Sequence, residues 1–517
     1  MKYKVLSLFS NVGFGEYYFN KLPLDVVVAN ELLQDRADFY NVLHPNTNMI
    51  QGDITENAVR SKIISSCASL GPIDIVMATP PCQGMSLANA TKDSDDPRNT
   101  LIVHAMDIFN KVGAKYMLIE NVPNMPDTYI YHKDYGQIKI SDFIKKSLPA
   151  NAHFESEVLN GKHFGTAQER KRSITLISTD SSKWVHPLET ETLITLGDKI
   201  SDEGDFPSLD SGPSGIPWHF LSKQNPDHID WMRYTETGKT AYYNKLDHYP
   251  CQIIENQAGS GSSITEYIKK TNGDKGWHTN PPTLIAPDGS REVIKEPQEE
   301  TIDGKNLIVV EIPEGYKLKR EIYGFTTAYK RMDWDKPAPT VTMTNGSISS
   351  QNNVHPGRAN GDKEDTYSEA RVLSIREVLA VCGLPIDMLD VFCEEARPDV
   401  KYKYTRDGLG YKYHPSFIRK ILGEMFLPNM ALNIMKTLPL FNDDYGPVAQ
   451  RLEQGTHNPL VAGSNPAGPT NFDDLTIKQI KSIVEENKSL KVKTQELQSK
   501  IDKIQMKKFE FINLFDD

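Results

Sequence analysis

Short apolar runs alternate with helix-spaced segments over residues 1 to about 180. The runs are Val5 to Phe9, Asp25 to Ala29, Ile73 to Ala78, Tyr116 to Ile119 and Ile174 to Ser178. Between them, Leu101 to Val112 places its apolar residues at helical spacing. This alternation is typical of a mostly parallel sheet with helices on both faces. The pattern therefore predicts an α/β, Rossmann-like fold whose ligands bind at the carboxyl ends of the strands.

The pattern changes after residue 185. Up to about 325 the chain is rich in Gly, Pro, Asn, Asp and Thr, which predicts short strands and long loops. Helical spacing returns at Ser374 to Val381 and at Phe417 to Leu438. We expect five segments along the chain: the first part of the main domain at 1–185, a smaller loop-rich domain at 186–325, the completion of the main domain at 326–440, an irregular linker at 441–470 and a helical tail at 471–517.

The charged tail carries a weak heptad pattern. Apolar residues recur every seven positions at Ile483, Leu490, Leu497, Ile504 and Phe511. The companion positions are mixed, so a lone exposed helix and a coiled coil both remain open. We expect a monomer unless the tail dimerises.

The segment Gly446 to Thr470 fits neither of its neighbours. Its sequence looks like a transfer-RNA gene read in frame, with Ala449 to Gln454 as a D-arm and Gly463 to Pro466 as a T-arm. Our hypothesis is that the tail was appended when the gene came to abut a transfer-RNA gene, and that this segment lacks a packed fold. The idea fails if codons 446–470 cannot fold as a cloverleaf.

Composition excludes several classes of protein. The five cysteines contain no CxxC pair, which argues against a disulfide framework and a structural zinc site and suits a reducing cytoplasm. No apolar stretch reaches about 18 residues, so no membrane span is expected. With a net charge of -11, nucleic-acid binding requires local basic patches. The candidates are Arg170 to Arg172, Lys317 to Arg320, Lys330-Arg331 and Arg419-Lys420.

The strongest chemical candidate is Cys82, in Pro80-Pro81-Cys82-Gln83-Gly84 after the third of these runs. A cysteine in such a loop is either a nucleophile or an inert buried side chain. Glu120, in Glu120-Asn121-Val122, follows the next run. If both strands are parallel, Cys82 and Glu120 emerge at one edge of the sheet as a thiolate beside a proton-donating carboxyl group. The alternative for Glu120 is an acid at a helix start.

Two further groups accompany this pair. Gln168, Arg170 and Arg172 share one face of an extended segment, which suits a planar acceptor, a phosphate or only a solvated basic edge. At the first strand end, Phe9 to Gly15 contains Asn11 and Gly13, which tolerate unusual backbone conformations near a ligand. Two acids sharpen this second group: Glu31 could bind ribose hydroxyls, and Asp53 could accept from an exocyclic amine.

Together these residues resemble the DNA cytosine-5 methyltransferases over about 1–180 and 320–435. The matching motifs, in the family's order, are Phe9 to Gly15, Glu31, Asp53-Ile54, Pro80 to Ser86, Asp96 to Leu101, Glu120 to Val122, Gln168 to Arg172, Arg331 to Thr340 with Arg371 to Pro385, and Gly423 to Pro428. Three positions depart from the pattern: Ser7 replaces an aspartate, Asn11 a glycine and Glu424 an asparagine.

The resemblance implies a mechanism and a set of roles. Cys82 would attack cytosine C6, Glu120 would protonate N3, and Arg172 with Arg170 would bind O2, on a base flipped out of duplex DNA. Gln168 completes the catalytic set, and no metal ion is expected. S-adenosylmethionine would be held by Phe9, Asn11, Gly13, Glu31, Asp53, Ile54, Pro80, Leu101 and Glu424. DNA would be contacted by Gln83, Ser86, Arg98 and Val122.

The resemblance also implies partners and leaves alternatives. Residues 186–325 would be the target-recognition domain of a prokaryotic modification enzyme, with a cognate restriction endonuclease as a possible partner. A transfer-RNA cytosine-5 methyltransferase would carry a Cys-Phe-Thr signature, which none of the five cysteines provides. A non-catalytic DNA-binding module would be expected to lose Cys82 or Glu120. A nicotinamide-dependent enzyme needs G-x-G-x-x-G, which is absent at Gly13 to Tyr18.

Overall fold

The computed structural model describes most of the chain up to Phe441. The described residues are 2–81, 100–200, 205–244, 249–256, 262–269, 282–294, 298–302, 304–321, 327–351, 353–361 and 365–441. They all belong to one unit, Met1–Gln454. The expected transfer-RNA-like segment and the helical tail lie outside the described residues.

A seven-stranded sheet forms the centre of the fold. Its strands are β1 (Tyr3–Leu8), β2 (Leu24–Glu31), β3 (Asn48–Gln51), β4 (Ile75–Ala78), β5 (Tyr116–Asn121), β8 (His153–Asn160) and β9 (Lys171–Ser178). The order is β3-β2-β1-β4-β5-β9-β8, and the first five strands are parallel. The predicted parallel α/β sheet is therefore confirmed for those five strands, whereas β9 and β8 are antiparallel.

Nine α-helices are present in the described ranges. They are α1 (Gln34–Leu43), α2 (Asn57–Leu70), α3 (Leu101–Val112), α4 (Ile140–Lys146), α5 (Gly197–Ile200), α6 (Pro226–Arg233), α7 (Ile375–Cys382), α8 (Pro415–Glu424) and α9 (Pro428–Lys436). Helix α3 has the predicted bounds. The stretch predicted as helical from Phe417 to Leu438 is two helices, because Pro428 cannot continue α8 and instead occupies the first turn of α9.

The two faces of the sheet pack into separate cores. Leu6, Val76 and Ile119 point to the face covered by α2 and α3. Val5, Ile75 and Leu118 point to the opposite face, whose core includes residues of α7, α8 and α9. The C-terminal helices therefore pack on the same sheet as the N-terminal strands, and the expected division into domains stays a prediction.

The remaining strands form small antiparallel sheets. They are the hairpin β6 (Tyr129–His132) with β7 (Gly136–Lys139), the strands β10 (Cys251–Glu255), β11 (Ile264–Lys269), β12 (Thr283–Ile285), β13 (Arg291–Val293), β14 (Gln298–Ile302), β15 (Lys305–Ile312) and β16 (Lys317–Glu321), and the strands β17 (Cys393–Glu395), β18 (Tyr404–Arg406) and β19 (Leu409–Tyr411). Strands β10 to β16 carry their own small core around Ile308, Val310, Ile312 and Leu318. Trp184, Leu196 and Trp218 instead share the core of the C-terminal helices. The expected 186–325 domain and its role stay a prediction.

No helix in the described part of the chain is long and apolar enough to cross a membrane.

Candidate active site

The expected site residues gather where the parallel strands end. Ala78 on β4 pairs with Ile119 on β5, so Pro80 and Glu120 leave neighbouring strands at the same edge. Leu8 on β1 pairs with both Asn30 and Ala78, which places Phe9 between the ends of β2 and β4. The Phe9 loop and Glu120 therefore lie at the same edge of the sheet, where the strand pattern predicts that a ligand binds. Their roles as cofactor loop and catalytic acid stay predictions.

Glu120 is paired with Arg172. Glu120 lies opposite Ile174 in the antiparallel β5–β9 ladder, so Arg172, two residues earlier on β9, points to the same face. Arg172 Nε lies 2.8 Å from Glu120 Oε1, and the two side chains are only 15% and 9% exposed. Burial raises the pKa of Glu120, whereas the charges of Arg172 and Arg170 lower it. A carboxyl group held in this balance can accept and return a proton.

Asn121 ties the start of the catalytic loop to the end of β5. Its Nδ2 donates to the Pro80 carbonyl over 3.0 Å, and its Oδ1 accepts from the Val122 N–H. On the other side, Thr79 Oγ1 donates to the Phe9 carbonyl. The chain is thus anchored to both the cofactor loop and the Glu120 strand immediately before Cys82. The predictions for Cys82, Gln83, Ser86 and Arg98 fall outside the described residues.

Gln168 and Arg170 do not line this edge, contrary to expectation. Arg170 is 1% exposed, and its guanidinium donates to the carbonyl oxygens of Val341, Gly423 and Met425. Gln168 is fully buried, donating to Cys382 Sγ and accepting from the Val341 N–H. The predicted alternation of side chains is present. However, the side chains of Gln168 and Arg170 are buried between this strand and the C-terminal segments. Direct base contact by Arg170 and Gln168 is therefore not what this geometry supports.

Arg331 and Arg419, from two other predicted basic patches, are also buried. Arg331 is fully buried and donates to the carbonyls of Met232, His355 and Glu369. Arg419 is also buried and donates to Asn345 and to the Leu373 carbonyl. Burial lowers the pKa of Arg331 to about 9 and that of Arg419 to about 10. Because both side chains are buried and donate to acceptors within the protein, neither arginine is available to contact a phosphate.

The Glu31 carboxyl group, at the end of β2, is fixed by two main-chain N–H groups. Its Oε2 accepts from the Asn11 N–H and its Oε1 from the Leu33 N–H, both over 3.0 Å. Burial raises the pKa of this carboxyl group, and the N–H of Leu33 is the largest opposing influence. A fixed, buried carboxylate with free lone pairs fits two vicinal hydroxyl donors such as those of a ribose.

The loop after β1 adopts a strained backbone. Phe9 and Asn11 have φ angles of 58° and 51°, in the left-handed region that non-glycine residues rarely adopt. Asn11 suits this conformation, as predicted, whereas Phe9 does so only at a cost. Such strain is typical of segments shaped around a ligand. The observed loop therefore fits the expected cofactor position.

Gly13 packs closely against α1. Its φ is 82°, and a Cβ there would overlap the His44 imidazole and lie 2.8 Å from Tyr40 Cε2. Those side chains belong to α1 and its C-terminal cap, and His44 Nε2 also contacts the Gly13 carbonyl over 2.9 Å. The absence of a side chain at Gly13 is therefore required for packing of the loop on α1, and its place in the cofactor site stays a prediction.

The other presumed cofactor and DNA contacts occupy varied positions. Asp53 Oδ1 accepts a hydrogen bond from the Thr55 N–H, and Ile54 is buried after β3. Leu101 is the first residue of α3, and Val122 follows β5. Both of these side chains are half-buried. Glu424, at the end of α8, forms an ion pair with Arg36 of α1. The Glu424 carboxylate is thus engaged with the protein.

Sequence reasoning named Asn121 only as part of a motif and missed Thr79. The residue types Asn and Thr do not by themselves indicate an anchoring role, because that role depends on carbonyl oxygens from distant segments of the chain. No group of three or more His, Cys, Asp or Glu side chains that could hold a metal ion occurs among the described residues.

Comparison with known proteins identifies the family. The sequence profile described as C-5 cytosine-specific DNA methylase matches residues 3–403. The chain belongs to this family. The family assignment agrees with the resemblance carried by the motifs around Cys82, Glu120 and Arg172.

Type II methyltransferases are among its similar relatives. M1.HgaI of Avibacterium volantium is 32% identical over 444 residues, which cover 85% of this chain and 98% of that protein. M.NgoPII of Neisseria gonorrhoeae is 28% identical over 237 residues, covering 45% of this chain and 63% of its own. M1.HphI of Haemophilus parahaemolyticus is 21% identical over 60% of this chain and 77% of its own.

Solved structures are more distant. A putative DNA modification methyltransferase encoded within an E. coli prophage has a TM-score of 0.44 and 17% identity, over 85% of this chain and 99% of that one. The methyltransferase EhMeth of Entamoeba histolytica has a TM-score of 0.44 and 13% identity, over 86% of this chain and 99% of that one.

Proposed function

We propose that this chain is a site-specific DNA methyltransferase of restriction-modification type, which methylates C5 of a cytosine flipped out of duplex DNA. The family profile and the Type II relatives support this proposal. The observation that carries it is the Glu120–Arg172 pair at the strand edge, beside the Pro80 anchor of the Cys82 loop.

The chemistry assigns a role to each group at this edge. Cytosine C5 is a weak nucleophile, and addition of a thiolate at C6 converts the ring to an enamine that is nucleophilic at C5. Cys82 would make this addition. Glu120 would hold and protonate N3, and Arg172, already oriented by Glu120, would donate to O2 as charge develops there. C5 would then take the methyl group, and N3 would return its proton to Glu120. Loss of the C5 proton to solvent and departure of the Cys82 thiolate would complete the cycle.

S-adenosylmethionine is the proposed methyl donor. The residues at this edge fit S-adenosylmethionine. Glu31 can accept hydrogen bonds from the ribose hydroxyls, and Ile54 is an apolar residue for the adenine. Phe9 would face the adenine, Asp53 its exocyclic amine, Pro80 and Leu101 the methionine side. When bound, the cofactor supplies an electrophilic methyl group. Asn11 would act through its N–H bond to Glu31, and Gly13 and Glu424 by packing the loop and α8 on α1.

Arg170 and Gln168 would be positioning residues. Their bonds to Val341, Gly423 and Cys382 hold the start of β9 against the C-terminal segments. Arg172 on the same strand is thereby aimed at Glu120. Gln83, Ser86, Arg98 and Val122 remain the proposed DNA contacts near the flipped base, and residues 186–325 the proposed target-recognition domain. Duplex DNA is the proposed substrate, and a cognate endonuclease a proposed partner.

The test is methyl transfer to DNA by Cys82→Ser, with Cys393→Ser, a half-buried cysteine of β17, as the matched control. We expect Cys82→Ser to lose activity on duplex DNA and Cys393→Ser to keep it. Near wild-type transfer by Cys82→Ser would refute the covalent mechanism. Bisulfite sequencing of host DNA identifies the methylated cytosine, and transfer to transfer RNA but not to DNA would overturn the substrate assignment.

A further inference from the structure

Strand β8 is an open edge of the central sheet. It stands last in the strand order, and among the described residues it pairs only with β9. The main-chain groups on its other side are therefore available as a template for another strand. Edge strands of this length are usually covered or blocked. Each of the two faces flanking β8 carries a groove.

A groove of about 1000 Å³ runs along one face of β8. Its floor includes Phe154 and Ser156, and its walls include Pro123 and residues of α4 through Leu148. Ser173, opposite Val158 on β9, also lines the groove. Ser173 is 1% exposed, and its Oγ has no hydrogen-bond partner among the described residues. A buried hydroxyl group without a partner is unusual and points to a group supplied from outside.

A second groove of about 460 Å³ lies on the opposite face, between β8 and residues 185–189. Glu155 and Glu157 alternate along β8 and therefore share this face. The Glu155 Oε2 atom and both ring nitrogens of His186 are buried and unpartnered among the described residues. Two adjacent unsatisfied side chains again indicate that this face is complete only when something occupies it.

We propose that β8 is a docking site for an extended segment of a partner polypeptide, which adds as a strand to the edge. In such strand addition, main-chain hydrogen bonds provide the affinity and alternate side chains enter pockets on the two faces. Here the alternate side chains enter the two grooves. Glu157 lies opposite Ile174 of β9, which in turn lies opposite Glu120 of β5, so one strand separates the docking edge from Glu120.

Charge determines what kind of segment fits. The second groove is lined by Glu155, Glu157 and Glu189 and by no lysine or arginine. Side chains entering it are therefore cationic. The first groove is lined by Phe154, Leu148 and three prolines, by Lys145, and by the acids Asp127, Glu155 and Glu157. Its apolar lining accepts apolar side chains, and its three acids against one lysine favour a basic segment over an acidic one. The partner segment alternates basic with apolar residues.

The same charges exclude two other occupants. A second copy pairing edge to edge through β8 would bring Glu155 and Glu157 against their own counterparts, and like charges directly opposite destabilise a sheet. Duplex DNA would place phosphates against three carboxylates. A basic polypeptide satisfies the acids, the unpaired histidine and the open main chain together.

Binding of the fluorescein-labelled peptide Lys-Val-Lys-Val-Lys-Val-Lys to the full chain provides the test, read by fluorescence anisotropy. We expect saturable binding, weakened roughly tenfold in Glu155→Gln/Glu157→Gln. The matched control is Glu299→Gln/Glu300→Gln, which changes two neighbouring glutamates on β14, another edge strand. The control should bind the peptide as the wild type does. Circular dichroism melts check that both variants are folded.

A second peptide separates strand addition from simple charge attraction. The same sequence with alternate amide nitrogens methylated keeps its charge but loses the donors on one edge, so it should bind at least tenfold more weakly. Hydrogen exchange of β8 amides should slow with the first peptide only. Equal binding of both peptides, or equal binding by the Glu155→Gln/Glu157→Gln variant, overturns the proposal. So does protection of β8 by a duplex oligonucleotide instead of the peptide. Methyl transfer by the variant should be unchanged, so the outcome is independent of the proposed catalytic roles.

Discussion

Arg172 Nε and Glu120 Oε1 lie 2.8 Å apart because β9 runs antiparallel to β5. A parallel β9 would have placed Arg172 at the opposite edge of the sheet from Glu120. The direction of this one strand therefore brings together the acid and the cation that the proposed reaction needs along one edge of the base, at N3 and O2.

Replacing Arg172 by methionine should mainly affect catalysis. Removal of one preoriented donor to a developing charge typically costs about 10²–10³-fold in kcat. Because Arg172 is one of the charges that lower the pKa of Glu120, that pKa should rise in the variant. If protonated Glu120 is the active form, kcat falls as pH rises through this pKa, so the alkaline limb should move to higher pH. A pH profile of single-turnover methyl transfer measures both effects, and an unshifted limb contradicts the assignment.

Arg170→Met should give the opposite result. It leaves the carbonyls of Val341, Gly423 and Met425 buried without their donor. At about 1–3 kcal/mol for each unsatisfied acceptor, reduced by relaxation, the free energy of unfolding should fall by about 3–5 kcal/mol. Urea denaturation measures it. Lys171→Met is the matched control, since that neighbouring cation is exposed, and equal destabilisation of the two variants would refute the buried structural role of Arg170.

Asn121→Asp tests the anchor of the Cys82 loop. The aspartate can still accept from the Val122 N–H but cannot donate to the Pro80 carbonyl. Misplacement of a reacting group by about 1 Å costs up to roughly 10²-fold in rate, so we expect kcat to fall about 10–100-fold. The KM for the methyl donor should change little, because the Phe9 and Glu31 contacts are intact. Rapid-quench methyl transfer provides the rate, and a change confined to KM would argue against an anchoring role.

Gly13→Ala should destabilise the protein more than an ordinary glycine substitution. The new Cβ meets Tyr40 and His44 and also has to adopt a φ of 82°. We expect a loss of about 2–4 kcal/mol in the free energy of unfolding. Gly113→Ala is the control, since Gly113 has a φ of 65° but no atom within 4 Å of its Cβ, and it should cost only about 1 kcal/mol. Similar losses in both would show that packing against α1 does not matter.

Local sequence signals are enough to predict the elements of the main sheet and the chemical groups at its edge. The runs ending at Phe9, Glu31, Pro80 and Glu120 are local signals, and side-chain alternation and helical spacing need no knowledge of distant contacts. For that reason the parallel strands, α3 and the residues at the strand edge could be predicted, as could the family. Strand β8, whose His153–Asn160 segment is half polar, gave no such signal.

The roles of residues of the same type depend instead on long-range packing. Arg170 and Arg172 are the same residue type two positions apart, yet Arg170 meets carbonyls from Val341 and Gly423 while Arg172 meets Glu120. Gly13 faces α1, and β9 reverses its direction. Each outcome depends on a partner far away in the chain, and such pairings are set by the packing of the whole fold rather than by local preference.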